Sequence, residues 1–583
     1  MATRMRACAK CAGEGARLVR PSPKQLHAHR QVMDAVGGDS TARPAPQRVP
    51  CRACAGCGLV SAAENTADVG GGLVAGAPTI AVIGGGIGGA AVTLALRQRG
   101  LLATLYEKDA SFAERAQGYG LTMQQGANAL RHLGLPNTGV FSLSHSSFLP
   151  DGTLIGSYGR AVHERTRDTL GNGRGDNQRR NAHIPRQALR QALLDELPAE
   201  AVRWDQRLER LELVSSRGPA AAEGEPDGTD GADGAAAAAG GGVRLRFSTG
   251  RDVVVQLVIG ADGIWSTVRQ QLLGAAACPL RYLGVVVVLG RAPCEHPLAS
   301  QRVFQTVDGA GTRIYAMPFT EEPPVVMWQL SFVVLDEAEA CRLPRDGPSL
   351  KAEALRRVGH WHDPLGQLLR DTNPDDITGY PAYDREVPEA LRRPALCEAV
   401  EGGGGSSGGG GGDDGGNDGG DGGGSSSSGG DSCGRRFGGA GGAGDGSGSG
   451  GLGARAEEGG EGGGLGAPWH APRAACCTLL GDAAHPMSPF KGQGANQALL
   501  DAIDLARAVR RSTLAGGGVP LSEALDAFER QMLRRAAPKV GASREAAMAL
   551  HAPSATSAGD CTRMRAAAGA TDAETERSAA AED

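Results

Sequence analysis

A short run of β-branched residues that leads straight into a glycine-rich turn is the feature that most constrains how this chain folds. Residues 79–89 read Thr-Ile-Ala-Val-Ile-Gly-Gly-Gly-Ile-Gly-Gly, and residues 90–99 have a helical pattern. Gly84 permits a tight turn, Gly86 lets a pyrophosphate approach the backbone, and Gly89 lets the helix pack closely on the strand. The pattern predicts a strand–turn–helix unit of an α/β fold, with phosphates bound at the positive end of the helix dipole.

The residue that follows the next strand supports a dinucleotide. This second strand is predicted at Leu101–Tyr106, and Glu107 follows it, 18 residues after Gly89. A carboxylate at this position accepts hydrogen bonds from ribose hydroxyls. An acidic residue there favours a free 2′-hydroxyl, as in NAD or FAD, over NADP. The alternative interpretation is a glycine turn that closes an ordinary βα unit.

Two later clusters distinguish between NAD and FAD. The β-rich run Val253–Gly260 leads to Asp262 and Gly263, and a Pro/Gly loop follows Asp482 before a predicted helix at Gln497–Arg511. A carboxylate at a strand end can accept hydrogen bonds from sugar-like hydroxyls. A dehydrogenase needs no second cluster of this kind, whereas a flavin does, because its ribityl chain and ring extend beyond the pyrophosphate. The candidate positions in the second cluster are Asp482, Pro489, Gly492, Gly494 and Asn496.

The three motifs, in this order, resemble the signatures of the para-hydroxybenzoate hydroxylase-like family of single-component, FAD-dependent monooxygenases. The resemblance covers about residues 78–550, apart from insertions. It implies an α/β fold in which an FAD-binding Rossmann-like domain carries an inserted, mostly antiparallel β-sheet substrate domain. It also implies that Glu107 holds the adenosine ribose, that Asp482 holds the ribityl chain, and that the backbone around Gly492–Asn496 faces the isoalloxazine ring.

Other positions match the family less closely. In the segment Ile184–Arg190, Arg186 resembles the family's strand-end arginine, which implies a contact with FAD; the alternative is a surface arginine at a helix start. The Asp262-Gly263 motif is linked in the family to both FAD and NAD(P)H, although a structural turn aspartate has the same pattern. His485 is interpreted as a packed or loop-stabilising histidine rather than a catalytic base.

The resemblance implies that NAD(P)H reduces FAD, that O2 forms a hydroperoxide at flavin C4a, and that its terminal oxygen passes to a small aromatic or similar apolar substrate. The cofactor supplies this chemistry, so no catalytic side chain is predicted. The backbone around Gly492, Gly494 and Asn496, at a helix N-terminus, is expected to stabilise negative charge on the reduced ring. No second strand-led GxGxxG occurs outside a glycine-rich tract, in agreement with a class that lacks a separate NAD(P)H domain. The alternatives are a flavin-binding scaffold that recruits a partner, and a reductase or halogenase on the same fold.

The substrate domain is predicted at 276–395. Its strand-like runs are Arg281–Gly290, Thr312–Phe319 and Val325–Leu335. In the second run, alternation places Ile314, Ala316 and Pro318 on one face and Arg313, Tyr315, Met317 and Phe319 on the other. An apolar, aromatic-lined pocket between this region and the flavin suits a planar aromatic or isoprenoid substrate. For any single residue the alternative is plain sheet packing.

The N-terminal segment contains the pattern CxxCxGxG twice, and its predicted metal ligands are Cys8, Cys11, Cys51 and Cys54. A two-residue gap lets both thiolates of a pair face one tetrahedral ion, and two pairs form a closed four-thiolate zinc site. The pattern resembles the cysteine-rich zinc centre of DnaJ-type chaperones. That family has four repeats and a J-domain, so a small zinc module that contacts a protein partner is predicted instead of a chaperone. A redox dithiol and unliganded cysteines are the alternatives, and Cys57, His27 and His29 are competing ligands.

Composition separates folded segments from flexible ones. Residues 401–466 are Gly, Ser and Asp with almost no apolar residue. Such a tract cannot bury enough surface to offset backbone ordering, which costs about 1–2 kcal/mol per residue. It is predicted to be a flexible insertion, as are residues 217–242 and the tail 551–583. The predicted FAD-binding domain therefore consists of residues 78–275 and 470–550, beside a zinc module at 1–60.

Charge and cysteine usage restrict the class of protein. The formal net charge is −5, without a basic tract or an RNA-binding aromatic motif, so nucleic acid is not expected as a partner. No apolar run reaches the roughly 18 residues that a membrane helix needs. The 13 cysteines lack the regular spacing of a secreted disulfide framework. An intracellular, reducing location is expected, with the cytoplasm favoured and an organelle left open.

Overall fold

The computed structural model describes most of the cysteine module and the larger part of the predicted enzyme core. The described residues are 5–35, 47–61, 74, 76–114, 119–136, 139–142, 144–159, 182–214, 242–274, 279–300, 302–388, 391, 476–514 and 519–557. The predicted insertions at 217–242 and 401–466 lie outside the described residues, except for Gly242. The predicted tail lies outside them from residue 558 onward.

A five-stranded parallel sheet carries the glycine turn. Its strands follow the order Val202–Arg203, Ala103–Tyr106, Ile80–Ile83, Leu257–Gly260 and Cys476–Leu479. Every residue of Ile80–Ile83 and Leu257–Gly260 is buried, as is typical of parallel strands covered by helices. The last strand lies beyond the 401–466 tract, so chain on both sides of that tract builds one sheet, as the motif order predicts.

Helices and short sheets surround the parallel sheet. The helices are Ile87–Arg97, Gly126–His132, Arg186–Asp195, Thr267–Leu273, Gly494–Ser512 and Leu521–Leu550, and the 3-10 helices are Phe112–Glu114, Ala199–Ala201, Gly481–Ala483 and Pro489–Lys491. One antiparallel sheet contains Leu208–Val214, Gly242–Phe247 and Asp252–Val255, and another contains Gly120–Met123, Ala182–Pro185 and Val140–Phe141. The run predicted as one strand at Val253–Gly260 therefore forms two strands in different sheets, because the chain turns between Val255 and Leu257.

A seven-stranded sheet forms the second layer of the structure. Its order is Leu154–Gly159, Ser144–Phe148, Arg302–Val307, Thr312–Thr320, Val325–Val333, Leu280–Pro293 and Thr378–Arg385. All of its pairings are antiparallel except the parallel contact between Ser144–Phe148 and Arg302–Val307. The helices of this layer are Pro297–Ser300, Glu337–Arg342, Gly347–Val358 and Leu365–Asp371, with a 3-10 helix at Pro374–Asp376. The substrate sheet was predicted within 276–395 alone, but residues 144–159 supply its first two strands.

The two faces of the seven-stranded sheet pack differently. Ile314 and Ala316 belong to an apolar core with Trp328 and the helices of this layer. Met317 and Phe319 belong to a separate cluster on the opposite face. The predicted alternation along Thr312–Phe319 is therefore confirmed, and the second face packs against Tyr119 and Phe490.

The cysteine module is built as two similar halves. Its strands Met5–Ala7 and Leu59–Ser61 pair with each other, as do Ala16–Val19 and Gln47–Pro50, and a helix spans Pro23–Ala35. The Cys8 N–H donates to the Gly58 carbonyl at 2.8 Å, and the Cys51 N–H donates to the Gly15 carbonyl at the same distance. The two CxxCxGxG segments thus exchange equivalent hydrogen bonds across a local twofold relation.

The beginning of the predicted tail is ordered, which corrects the boundary at residue 551. Residues 553–556 form a 3-10 helix in which Ala555 is buried. The His551 ring packs edge-on against Phe490 at 5.3 Å, and its Nε2 lies 2.8 Å from the Ser331 hydroxyl. These contacts hold His551 and the residues next to it against the seven-stranded sheet. In the part of the chain that the structure describes, no helix is both long and apolar enough to cross a bilayer.

Candidate functional site

The glycine turn has no space for a side chain at Gly84 or Gly89, but it is open at Gly86. A Cβ on Gly89 would overlap the carbonyl oxygen of Gly84, and a Cβ on Gly84 would lie 2.6 Å from the Ala261 carbonyl oxygen. Gly84 also has φ +103°, a conformation that favours glycine. A Cβ on Gly86 would meet nothing within 4 Å. The turn therefore leaves open space directly at the N-terminus of helix Ile87–Arg97, where a phosphate can bind.

Glu107 lies beside this turn, but its carboxylate is directed at the backbone. The Gly85 N–H donates to one of its oxygens at 2.5 Å, and the Asp109 N–H donates to the other at 3.1 Å. The side chain is only 2% exposed. In this structure Glu107 holds the turn in place, and its contact with a ribose stays a prediction.

Arg190, a buried residue of helix Arg186–Asp195, contacts the turn and was not singled out by the sequence. Its Nε donates to the Gly85 carbonyl at 2.7 Å, and its Nη2 lies 3.9 Å from the Glu107 carboxylate. Its guanidinium lies 5.0 Å from the Phe112 ring centroid. Arg190 and Glu107 thus bind the same glycine, Arg190 at the Gly85 carbonyl and Glu107 at the Gly85 N–H. The only sequence signal was its position one helical turn after Arg186.

The Asp262-Gly263 motif forms a helix cap. The Asp262 carboxylate accepts hydrogen bonds from the Ser266 hydroxyl at 2.6 Å and from the N–H of Thr267 at 2.7 Å. Burial raises the pKa of Asp262, although these hydrogen bonds act to lower it. Its neighbour Ala261 packs on Gly84, so the motif supports the glycine turn from below. The carboxylate binds the start of the helix that follows it, which agrees with the alternative of a structural turn aspartate. A flavin contact of Asp262 stays a prediction.

A buried arginine joins this motif to the third one. Arg269 Nη1 donates to the carbonyl oxygens of Ala483 and Ala484, both at 3.0 Å. The side chain is 2% exposed. The loop after Asp482 is therefore fixed to the helix after Asp262, which brings the two carboxylates to the same end of the parallel sheet.

Asp482 has a carboxylate that is accessible but enclosed by protein. It is exposed to solvent and forms no hydrogen bond with any described residue. Its Oδ1 lies 3.8 Å from where a Cβ on Gly494 would stand. Burial raises the pKa of Asp482, while His485 and Arg186 act to lower it. A carboxylate that is open to solvent and forms no protein hydrogen bond can accept hydrogen bonds from the hydroxyl groups of a ligand.

Arg186 shares this crevice. It begins the helix Arg186–Asp195, and its guanidinium lies 5.3 Å from the centroid of the Tyr119 ring. Its buried Nη1 has no hydrogen-bond partner among the described residues. Burial raises the pKa of Tyr380, and the charges of Tyr119 and Asp482 add to that rise while Arg186 opposes it. Tyr380 is therefore within electrostatic reach of Tyr119, Asp482 and Arg186.

Asn496 fixes the loop that closes the crevice. Its Oδ1 accepts hydrogen bonds from the N–H groups of Gln124 and Gly126 at 2.9 and 2.8 Å. Its Nδ2 donates to the carbonyl oxygens of Thr122 and Gly492 at 2.9 and 2.8 Å. The side chain is completely buried, with both donors and both oxygen lone pairs in use. Asn496 thus positions backbone and does not itself face a ligand.

The remaining loop positions shape the turn before the helix. Pro489 begins the 3-10 helix Pro489–Lys491, and Gly492 ends it with φ +62°. Helix Gly494–Ser512 starts two residues later, three residues before the predicted start at Gln497, so Gly492, Gly494 and Asn496 lie at a helix N-terminus as predicted. Its first amide groups have no partners inside the helix, and its first residue, Gly494, lies beside the Asp482 carboxylate.

His485 is a structural residue, as predicted. It is completely buried, and its Nε2 lies 2.8 Å from the Asp501 carboxylate. The same carboxylate accepts hydrogen bonds from the Gly481 N–H at 3.0 Å and from Arg535 at 2.6 Å. Burial acts to lower the pKa of His485, but the Asp501 charge outweighs it and the pKa is raised. The group anchors the start of the Asp482 loop to two helices.

The face of the seven-stranded sheet opposite this loop combines aromatic and polar groups. The Arg313 guanidinium lies 5.0 Å from the Tyr315 ring centroid and 5.8 Å from that of Phe490, which belongs to the loop. Arg313 Nε donates to Gln305 at 2.9 Å, and Gln305 donates to the Ser147 hydroxyl at 3.0 Å. Burial raises the pKa of Tyr315, against the effect of Arg313. The face therefore offers apolar rings with a few fixed polar groups beside the crevice.

The four predicted metal ligands meet in the cysteine module. The Sγ atoms of Cys8, Cys11, Cys51 and Cys54 all lie within 4.8 Å of one another and all four residues are buried. The N–H groups of Gly15 and Gly58 donate to the sulfurs of Cys11 and Cys54, both at 3.2 Å. The competing ligands stay outside this cluster: Cys57 donates its thiol to the Leu59 carbonyl at 3.0 Å, and His27 contacts Gln31.

Comparison with known proteins agrees with this arrangement. A family model described as an FAD binding domain matches residues 473–540, the segment that contains Asp482 and the helix after it. The FAD-dependent monooxygenase phnB of Penicillium herquei is 38% identical over 84 residues, covering 14% of this chain and 20% of that protein. The 3-hydroxybenzoate 6-hydroxylase 2 of Aquipseudomonas alcaligenes is 41% identical over 75 residues, covering 13% and 22%. This chain thus matches about a fifth of the length of these relatives.

A solved structure extends the likeness to the whole fold. A single-substitution variant of HpxO from Klebsiella pneumoniae, complexed with FAD, superposes with a TM-score of 0.54. The match covers 81% of this chain and 90% of that one at 20% identity. The architecture is therefore that of FAD-dependent monooxygenase structures, including both the parallel sheet and the larger antiparallel layer.

The glycine turn gives a matched pair of substitutions. Gly89→Ala places a methyl group in the Gly84 carbonyl, so we expect it to lower the free energy of unfolding by about 1–3 kcal/mol or more and to prevent FAD binding. Gly86→Ala places the methyl group in open space, so we expect unchanged stability of the flavin-free protein but weaker FAD binding. Urea unfolding and flavin fluorescence titration measure the two effects. FAD binding by Gly86→Ala at wild-type affinity would contradict a phosphate site at this turn.

The raised pKa of His485 predicts a pH dependence. A raised folded-state pKa stabilises the protein fully below the unfolded value of about 6.5 and loses that contribution as the pH rises through the folded value. We expect His485→Gln to cost about 1.5–3 kcal/mol near pH 6 and progressively less at higher pH. Urea unfolding of both proteins across this range measures the difference. A difference that grows with pH would show that His485 is neutral in the folded protein.

Proposed function

We propose that this chain is an FAD-dependent monooxygenase that uses NAD(P)H and O2 to hydroxylate a small aromatic or similar apolar substrate. The observation that carries the proposal is the unpaired, enclosed carboxylate of Asp482 in a crevice shared with Arg186. Gly88, in the helix that begins at the glycine turn, lies against Leu480 and Ala498 beside the Asp482 loop. A flavin dinucleotide is a ligand long enough to reach from that turn to the loop. The similarity to FAD-dependent monooxygenases supports the same assignment.

The residues that would hold FAD fit its chemical groups. The pyrophosphate would bind at the turn of Gly84, Gly86 and Gly89, whose helix N-terminus attracts anions. Asp482 would accept hydrogen bonds from the ribityl hydroxyls, and Arg186 would donate to the cofactor through its unpartnered Nη1. Glu107 would reach the adenosine ribose from the position it occupies beside Gly85. When bound, FAD supplies the redox chemistry, taking a hydride from NAD(P)H and activating O2 at C4a.

The protein's own part is to place charge and to exclude water. The amide groups that begin helix Gly494–Ser512 would stabilise negative charge on the reduced ring without an acidic side chain. Asn496 keeps that helix start rigid because all four of its hydrogen bonds are to backbone. The aromatic face of Tyr315, Met317 and Phe319 would cover the ring and bind the substrate, which limits access of water.

We also propose that the four clustered cysteines bind Zn²⁺. The sulfur separations permit one tetrahedral ion, and the burial of all four residues is typical of a closed structural site. The Gly15 and Gly58 N–H groups directed at sulfur are suited to thiolates. The module contains little apolar core besides the cysteines, so metal would supply much of its folding free energy.

Substitutions of two aspartates distinguish effects on cofactor binding from effects on folding stability. Asp482→Ala removes a carboxylate with no protein hydrogen bond, so we expect FAD affinity to fall about 10–100-fold without loss of stability in the flavin-free protein. Asp262→Ala removes a helix cap, so we expect it to cost about 0.5–2 kcal/mol of stability. Flavin fluorescence titration and urea unfolding measure the two effects. A stability loss in Asp482→Ala with unchanged FAD affinity would overturn the role of Asp482.

Turnover tests the activity itself. The protein reconstituted with FAD should oxidise NADH or NADPH faster when a suitable small phenol is added. Isotope-labelled O2 should then place one labelled oxygen atom in the product, as mass spectrometry can detect. A flavin-loaded protein that oxidises NAD(P)H at the same rate with every phenol or quinol offered, and yields no labelled product, would contradict the monooxygenase proposal.

A further inference from the structure

The cysteine module is seated on the flavin-binding unit through the ends of two helices. Arg507 of helix Gly494–Ser512 donates through Nη2 to the carbonyl oxygens of Gly56 and Cys57, both at 3.4 Å. Arg511 of the same helix lies 2.8 Å from the Glu14 carboxylate. A Cβ on Gly13 would lie 3.4 Å from the side chain of Arg99, which follows helix Ile87–Arg97. The first CxxCxGxG turn therefore packs directly on arginine side chains of the enzyme core.

This interface is rich in positive charge that the described residues do not balance. Arg99 is 1% exposed, and the only hydrogen bond of its side chain within the described residues runs from Nη1 to the Ala95 carbonyl at 2.9 Å. Its Nε and Nη2 are buried without a hydrogen-bond partner there, and so is the Nε of Arg507. Glu14 is the acidic residue at this contact, and Arg48 and Arg511 already bind its carboxylate. A buried guanidinium without a counter-charge is costly, so an anionic group is expected close by.

A metal-bound tetrathiolate is such a group. Four thiolates around one divalent cation keep two net negative charges, and the cysteine sulfurs lie immediately behind the turns that touch Arg99 and Arg507. The carbonyl-bearing C-terminal end of a helix repels negative charge. Arginines placed between the helix end and the metal centre would remove that repulsion. Neutral thiols in the same place would leave the arginines uncompensated.

We propose that Arg99 and Arg507 are the counter-charges of the tetrathiolate metal centre, so that metal occupancy and FAD binding stabilise each other through helix Gly494–Ser512. This inference rests on the zinc site and the flavin site of the proposed function. The helix connects the two sites because its first residue faces the crevice of Asp482 and its last two turns carry Arg507 and Arg511. Thirteen residues separate Gly494 from Arg507, which is about 20 Å along a helix. Such a coupling is reciprocal: whatever loosens the metal weakens FAD binding, and FAD slows metal loss.

The cysteines supply a matched pair for the first part of the experiment, which uses the full chain. We expect wild-type protein and Cys57→Ser to contain one zinc per chain, because Cys57 lies outside the four-sulfur cluster. Cys54→Ser should lose the metal and bind FAD several-fold more weakly, as should wild-type protein after removal of zinc with a chelator. Metal analysis and flavin fluorescence titration measure these results. Zinc loss with unchanged FAD affinity would overturn the coupling.

The arginines test the counter-charge role directly. We expect Arg507→Gln and Arg99→Met to bind zinc at wild-type stoichiometry but to release it several-fold faster to a chromogenic chelator. Arg530→Gln, at an exposed position of helix Leu521–Leu550, should release zinc at the wild-type rate. Because Arg99 is buried and its variant is the more sensitive in folding, Arg507→Gln decides the outcome if Arg99→Met is unstable. Wild-type release rates in Arg507→Gln would overturn the inference.

The experiment also separates failure of this inference from failure of the proposed function. Wild-type protein that takes up no zinc would overturn the metal site and the inference with it. A zinc-loaded protein that binds no FAD would overturn the flavin assignment and the coupling, while the chelator release rates would still decide the role of the arginines. Zinc binding and FAD binding that are both intact but independent would overturn the inference alone.

Discussion

The close contact between the turn at residues 84–89 and the segment Ala261–Asp262 is the constraint on which the rest of the site depends. Gly84 has no space for a side chain against the backbone of Ala261 and Asp262, and Gly89 has none against the Gly84 carbonyl. Arg190 and Glu107 then hold Gly85 from its carbonyl and its N–H. Arg269 extends the same cluster to Ala483 and Ala484. Segments far apart in the chain are thereby held around one crevice. Substitution of Gly84, Gly89, Arg190, Glu107 or Arg269 would disturb these contacts.

Sequence predicts the parts of this site that depend on local backbone geometry. The glycine spacing at 84–89, the strand ends before Glu107 and Asp482, and the helix start at Gly494 all follow from short-range patterns that any chain must satisfy. The roles of Arg190, Arg269 and Asn496 could not be predicted, because most of their partners are backbone groups more than 100 residues away. Asp262 was recognised from the sequence, but its role was not. The same Asp-Gly pattern is compatible with a ligand contact and with a helix cap, and the structure shows that the carboxylate accepts a hydrogen bond from the Thr267 N–H.

The boundaries of the substrate layer were missed for a related reason. Strands Ser144–Phe148 and Leu154–Gly159 are short and rich in Ser and Gly, so neither has the alternation of Thr312–Phe319. They join the sheet through pairing with Arg302–Val307, a long-range contact that composition does not encode. The cysteine module shows the same effect on a larger scale. Its four clustered cysteines were predictable from their spacing, but the packing of the module on Arg99 and Arg507 was not.

The position of the strand Cys476–Leu479 has a consequence for biosynthesis. It pairs with Leu257–Gly260, a strand whose residues are all buried, and its successor helix covers the same core. On the ribosome, Leu257–Gly260 emerges long before its neighbour, after which five of the seven strands of the larger sheet and the tract at 401–466 must be synthesised. Throughout that interval the nascent chain presents an unpaired apolar sheet edge, a surface prone to aggregation. Translation speed and chaperone supply should therefore govern the yield of this protein more strongly than its final stability does.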